Sequence, residues 1–229
     1  MITLADIKQN ESIRALIKAG NKYLEHLGYT DHGPRHLSYV SRTASNILSQ
    51  LGYSEREIEL AAIAGWVHDV GNSINRHDHG PNGAVLLFPI LKEAGMSLPD
   101  AMEIITAVGN HEEESGTASS AVSAALIIAD KSDAHKSRVR NGIPDPGDIH
   151  DRVNFSIQKN EVIVNRKTHI IKQSLIMDKS SSVLEYLHIY LSRILMCEKA
   201  AKFLKQDFEL EINGHPVNNQ APDTSERPL

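Results

Sequence analysis

The run Ala124-Ala125-Leu126-Ile127-Ile128-Ala129 constrains the fold more than any other stretch of the chain. It sits in a segment, about Ser119 to His135, that reads as a helix apolar on nearly every side. A helix without a polar face belongs at the centre of a core. The run closes on Asp130. A buried ionised carboxylate costs several kcal/mol unless it is compensated. Lys131 or an arginine could supply the compensation, and so could a cation held in the core.

A second stretch raises the same question. Ile63-Ala-Gly-Trp-Val-His68-Asp69-Val-Gly-Asn72 places an adjacent His and Asp inside an apolar, helix-like segment. His77-Asp78 and His150-Asp151 are also His-Asp pairs, but they lie in polar surroundings. Neutral imidazole and carboxylate are both good ligands for divalent cations.

Residues 10 to 136 read as a series of helices. The first covers about 12 to 28. The second runs from Pro34, in its first turn, to Leu51, with Leu37, Val40, Ala44, Ile47, Leu48 and Leu51 on one face. The third starts at the capping box Ser54-x-x-Glu57, reaches His68 and Asp69, and ends at Gly71. Asn75 to Asn82 reads as a polar loop, followed by helices from about Gly83 to Glu93 and from Ser97 to near Gly109.

The composition changes near Asn141, and Gly142-Ile-Pro-Asp-Pro-Gly147 is rich in turn formers. Val153–Val164 and Thr168–Met177 then read as strands, Ser180–Leu204 as an amphipathic helix, and Phe208–Ile212 as a third strand. Residues 213–229 are expected to be a disordered tail. The expected fold is mainly α. A helical bundle covers 1–145, and a small α+β appendage over 146–212 (strand-strand-helix-strand) packs on it or on a second copy of the chain.

Among 229 residues the formal net charge is −5, so a nucleic-acid backbone is not an expected partner. No run of about 18 apolar residues suggests a membrane span. The single cysteine, Cys197, excludes an internal disulfide framework and, with the acidic N-terminus, favours a cytoplasmic location. A homodimer is expected from the general frequency of symmetric dimers.

Six residues of ligand type follow one another along the helical part: His36, His68, Asp69, His79, His111 and Asp130. Taken singly, each has an ordinary reading. His36 could be a satisfied polar residue at the edge of a stripe, His79 an exposed loop residue, and His111 a helix-end histidine suited to the dipole. Together they resemble the HD-domain superfamily of metal-dependent phosphohydrolases, whose pattern is His…His-Asp…Asp on a helical bundle. The resemblance covers about residues 30 to 135. Gly-Trp-Val-His68-Asp69-Val-Gly matches closely, and His79-Gly-Pro-Asn-Gly83 is similar to the His-x-x-x-Gly segment of two-metal members. Asn110-His111-Glu112 followed by Ser115-Gly116-Thr117 is similar to a segment of the HD-GYP subgroup, and Ala129-Asp130-Lys131 to the closing segment. Asn72 stands where many members carry Lys. Asn110 replaces the first histidine of a pair, and no Gly-Tyr-Pro follows Gly116, so the resemblance to the cyclic-di-GMP-cleaving subgroup stops there.

The resemblance implies that His36, His68, Asp69 and Asp130 bind one metal. It extends to His79 and His111 for a second, with Asp69 as bridge and catalytic pivot. A mixed His/carboxylate shell suits one or two ions of Fe, Mn, Co, Ni or Zn. The implied activity is hydrolysis of a small phosphorylated molecule, most naturally a nucleotide. Lys131, His135, Arg138 and Arg140 form a cationic cluster that either binds substrate phosphate or is a solvated helix end. Arg35 and Arg76 are further candidates for phosphate. Glu112 is a candidate proton acceptor or supporting group, or simply one of three solvated acids. Two rival classes remain: an HD-type di-iron oxygenase and a non-catalytic nucleotide-binding module.

Overall fold

The structure, a computed structural model, describes residues 1–113 and 115–218. Its helices are α1 (Leu4–Gln9), α2 (Glu11–His26), α3 (Pro34–Leu51), α4 (Glu55–Val67), α5 (His79–Glu93), α6 (Leu98–Gly109), α7 (Ala121–Lys131), α8 (Ile149–Ser156) and α9 (Val183–Phe203). Its strands are β1 (Ile157–Asn165), β2 (Ile170–Met177), β3 (Asp207–Ile212) and β4 (His215–Pro216).

The apolar run does lie at the centre. Every residue of α7 from Val122 to Ala129 is buried, and the helix packs against α3, α4, α6 and α9. The amphipathic stripe of α3 faces inward, with Leu37, Val40, Ala44, Ile47 and Leu48 buried. The capping box on Ser54 and Glu57 opens α4 as expected.

The β-strands form one sheet in the order β1-β2-β3-β4. β1 and β2 are antiparallel neighbours, whereas β2 and β3 are parallel and are joined across α9. On β2, Ile171, Gln173, Leu175 and Met177 alternate inward, as a half-buried strand requires. α9 lays Tyr186, Tyr190, Ile194 and Cys197 into the same core as α7. The appendage is thus packed on the helical part of its own chain. Burial also pushes the Cys197 thiol well up, so it is packing and not a nucleophile.

Several boundaries differ from expectation. His79 is the first residue of α5, because the helix starts four residues before Gly83 and absorbs half of the expected loop. α7 ends at Lys131, leaving His135 in an extended conformation before a short 3₁₀ turn at Lys136–Arg138. Residues 153–156 belong to α8, capped by Asp148, so the first strand starts at Ile157. Part of the expected tail is ordered: β4 pairs with β3, and Val217 donates its N–H to Leu210. Residues 219–229 of that tail lie outside the described residues. α1 has no counterpart in the sequence reading and is nucleated by a capping box on Thr3 and Asp6.

Two glycines set the spacing that the site needs. A Cβ on Gly65 of α4 would lie 2.7 Å from the backbone of Ser41, so α3 and α4 touch there without intervening side chains. A Cβ on Gly71 would fall 1.9 Å from the carbonyl oxygen of His79, so the turn after Asp69 abuts the start of α5.

Candidate metal centre

The six residues of the sequence pattern converge from five helices. His36 comes from the first turn of α3 and His68 from the C-cap of α4. Asp69 precedes a 3₁₀ turn at Val70–Ser73, His79 opens α5, His111 follows α6, and Asp130 is near the end of α7. All four histidines are buried, and Asp69 is 8% exposed.

Each imidazole is held in one tautomer. His36 Nδ1 donates to Asp133 Oδ2 (2.6 Å), His68 Nδ1 to the Gly65 carbonyl (3.0 Å) and His111 Nδ1 to the Val108 carbonyl (2.6 Å). His79 Nδ1 donates to the Arg76 carbonyl at 3.0 Å and also contacts Glu112. With the proton on Nδ1, every Nε2 carries a lone pair. Yet Nε2 of His36 lies 3.2 Å from Nε2 of His68, and Nε2 of His79 lies 3.0 Å from that of His111. Lone pairs that face one another at such distances repel unless a cation lies between them.

The carboxylates complete two sets of donors. Asp69 Oδ2 is 3.5 Å from His36 Nε2 and 3.4 Å from His68 Nε2, and it has no hydrogen-bond partner although it is buried. Asp130 Oδ1 is 3.4 Å and 3.5 Å from the same two nitrogens. Two ligands about 2.0–2.1 Å from a tetrahedral metal are about 3.3–3.4 Å apart. The spacing of His36, His68, Asp69 and Asp130 fits that geometry. On the other side of the same carboxylate, Asp69 Oδ1 lies 3.4 Å from His79 Nε2. Asp69 therefore presents one oxygen to His36 and His68 and the other to His79. The triads His36–His68–Asp130 and His68–Asp69–His111 each bring three ligand atoms close enough to hold one ion.

Both carboxylates are anionic. Burial alone would raise Asp69, but His68, and after it His32, His79 and His36, outweigh burial and hold it well below the usual carboxylate range. For Asp130 the same burial is outweighed by Lys131 and, after it, by His36 and His68. His68 moves the other way. Its burial disfavours the charged form, but Asp69 and Asp130 outweigh it and raise its pKa. The unpartnered Asp69 oxygen, the fixed tautomers and the donor set all fit a divalent metal ion.

Supporting groups surround the donors. Asn72 donates from Nδ2 to Asp69 Oδ1 (2.8 Å) and accepts weakly from Arg76 Nη1. Asn72 thus orients the carboxylate. Glu112 Oε1 accepts from the Gly80 amide at 3.0 Å. Burial pushes its carboxyl up, but His79 and Gly80 outweigh that and bring it to about 2.

Sequence reasoning missed Asp133, which is fully buried and paired with His36 and Arg35. Its signal was present, since Asp133 lies one helical turn beyond Asp130. It also missed Arg193 of α9, a cation that interrupts the apolar spacing between Leu191 and Ile194.

The cationic cluster divides. Lys131 is buried beside Asp130 (2.8 Å) and Glu113 (3.4 Å) and lines the cavity at the donors. Arg76 lines that cavity too, with Nη1 3.4 Å from His79 Nε2. Arg138 is 3% exposed and holds the Asp133 carbonyl (2.9 Å) and His32 Nε2 (3.1 Å). Arg140 donates to the carbonyls of Tyr29, Asn21 and Thr30, and His135 contacts Ser137 and the Gln158 carbonyl. The structure does not bring Arg140 or His135 to the donors. Arg35 is occupied by Asp133 and Asp31.

Comparison with known proteins agrees with this geometry. Residues 35–136 match the model of the HD domain, a span that includes all six candidate ligands. Over that span the chain is similar to the HD-domain superfamily, whose members include metal-dependent phosphohydrolases. It is also similar, at 25% identity over 181 residues and 69% of each chain, to an uncharacterized protein of Methanocaldococcus jannaschii. That relative names no substrate.

Proposed function

We propose that the protein is a two-metal phosphohydrolase acting on a small phosphorylated molecule, with a nucleotide as the favoured substrate. The observation that carries this reading is Asp69, one of whose oxygens faces His36 and His68 while the other faces His79. His36, His68 and Asp130 would hold one ion and His79 and His111 the other, with Asp69 between them. Bound divalent ions lower the pKa of water toward neutrality and offset charge on phosphoryl oxygens.

The chain's own residues supply the rest. Asp133, Gly65, Arg76 and Val108 fix the Nδ1 protons, so every Nε2 is presented unprotonated. Glu112, held at about 2, is a weak proton acceptor. Its role in this reading is to orient His79, with Asp69 as the catalytic carboxylate. Arg76 and Lys131 place positive charge beside the donors, where a phosphoryl group would sit. These cations also favour phosphate chemistry over oxygenation of a neutral organic substrate.

The test is phosphate release from a panel of nucleotides and simple phosphoesters by the purified, metal-loaded protein. Asp69→Ala is expected to remove metal and activity together. A metal-loaded protein that releases no phosphate from any member of the panel overturns the reading.

A further inference from the structure

The cavity of about 190 Å³ at the donors is lined by Arg76, His79, Glu112, Lys131 and, from the C-terminal appendage, Arg193. A second chamber of about 260 Å³ adjoins it and shares Tyr29, Arg76 and Arg193 as its wall. We propose that Arg193 binds the phosphate of the substrate, and that the chamber behind it takes the organic part of a compact phosphomonoester. The inference rests on the phosphohydrolase reading and goes on to name the substrate class.

Arg193 is built to receive an anion. Its guanidinium lies over the ring of Tyr190, 5.0 Å from the centroid, and Tyr190 is stacked on the buried Tyr186 at 4.6 Å. Tyr190 is in turn fixed by donating its hydroxyl to Asn154 Oδ1 (3.0 Å). Such a stack holds the guanidinium in one orientation before any ligand arrives. Among the described residues no side chain or carbonyl accepts a hydrogen bond from it. Its counter-charge is Glu113, 3.0 Å from Nε, whose carboxylate also reaches Lys131 at 3.4 Å. A carboxylate between these two cations occupies the place that a phosphate would take.

The adjoining chamber suits a small organic group. Tyr29 lines both cavities, with Arg76 over its ring at 5.8 Å. The imidazole of His150 lines the chamber and makes no hydrogen bond among the described residues, so it can serve a heteroatom of the ligand. The two adjoining cavities, of about 190 and 260 Å³, together offer the space of a small-molecule pocket.

Titrating inorganic phosphate and a nucleoside 5′-monophosphate into metal-loaded protein by calorimetry tests the assignment. Arg193→Met is expected to weaken both about 10- to 100-fold, the range for a charge-assisted hydrogen bond. Arg193→Lys is expected to recover part of the loss, and Glu113→Gln to tighten phosphate. Thermal stability and metal content serve as controls for folding. Wild-type phosphate affinity in a folded, metal-loaded Arg193→Met protein overturns the proposal, as does a wild-type protein that binds no phosphate. A dinucleotide that binds as well as the mononucleotide overturns the compact chamber. If Arg193→Met loses phosphate binding while the wild type hydrolyses nothing, Arg193 stands and the phosphohydrolase reading falls.

Discussion

Replacing Asp133, which is not itself a proposed ligand, is expected to damage the metal centre. Its carboxylate is fully buried, accepts from His36 Nδ1 at 2.6 Å and is gripped by both terminal nitrogens of Arg35. Arg138 Nη1 lies 3.9 Å away. Burial pushes this carboxyl up, but the His36 hydrogen bond and the charges of Arg138, His36 and Arg35 hold it well below the usual range. Asp133→Ala strands these cations. Breaking a buried pair costs about 3–5 kcal/mol, and Arg35, with 30% of its side chain exposed, recovers some of that from water. A loss of about 3 kcal/mol would lower the midpoint of thermal unfolding by about 6–12 °C for a chain of this size. Asp133→Asn keeps the volume but removes the charge that fixes the His36 tautomer. Loss of such an outer partner typically weakens metal binding about 10- to 100-fold, or about 1.4–2.8 kcal/mol. Competition with a chromophoric chelator measures the affinity, and scanning calorimetry the stability. An Asp133→Asn protein that binds metal as tightly as the wild type would refute the tautomer argument.

Gly65→Ala, which would force the Ser41 backbone away from α4, is expected to cost about 1–3 kcal/mol and to separate His36 from His68; an unchanged melting temperature and metal affinity would contradict this. Metal affinity is expected to fall as pH drops. Because the pKa of His68 is raised above 6.5, protons begin to compete for Nε2 already above that value, and each displaced proton contributes a tenfold loss per pH unit. A dissociation constant that stays flat between pH 8 and 6 would sink that claim. Deleting residues 150–212 is expected to expose the α7 face covered by α9 and to yield an aggregating product, so a soluble, active 1–145 fragment would show the appendage to be dispensable. Oxygen consumption by a di-iron form on an organic substrate, without phosphate release, would move the protein to the rival oxygenase class.

What sequence could reveal followed from periodicity and chemistry. The all-apolar α7, the α3 stripe and the Ser54 cap are local patterns, and each appears where local rules place it. His68, Asp69 and Asp130 could be picked out because buried His and Asp need a reason, whereas His36, His79 and His111 were singled out by the resemblance to the HD-domain pattern. The start of α5 was obscured because its first turn, His79-Gly-Pro-Asn, carries two strong turn formers, although Pro is well tolerated there. The surroundings of Arg138 were hidden for a different reason. The chain turns at Ser132 and carries Arg138 back toward His32 and Asp31. That turn is held by Asn160 and Gln173 of the sheet, which both donate to the Ser132 carbonyl. Contacts of such long range leave no periodic trace, and Arg193 reaches the site by the same kind of long-range packing.

The most direct measurement is a crystal structure of the metal-soaked protein with anomalous data collected at the metal edge. Two peaks about 3.5–4 Å apart are predicted, one within His36, His68 and Asp130, the other beside His79 and His111, with an Asp69 oxygen on each. A single peak, or a pair in which Asp69 touches only one ion, would contradict the bridged centre on which the proposed chemistry depends.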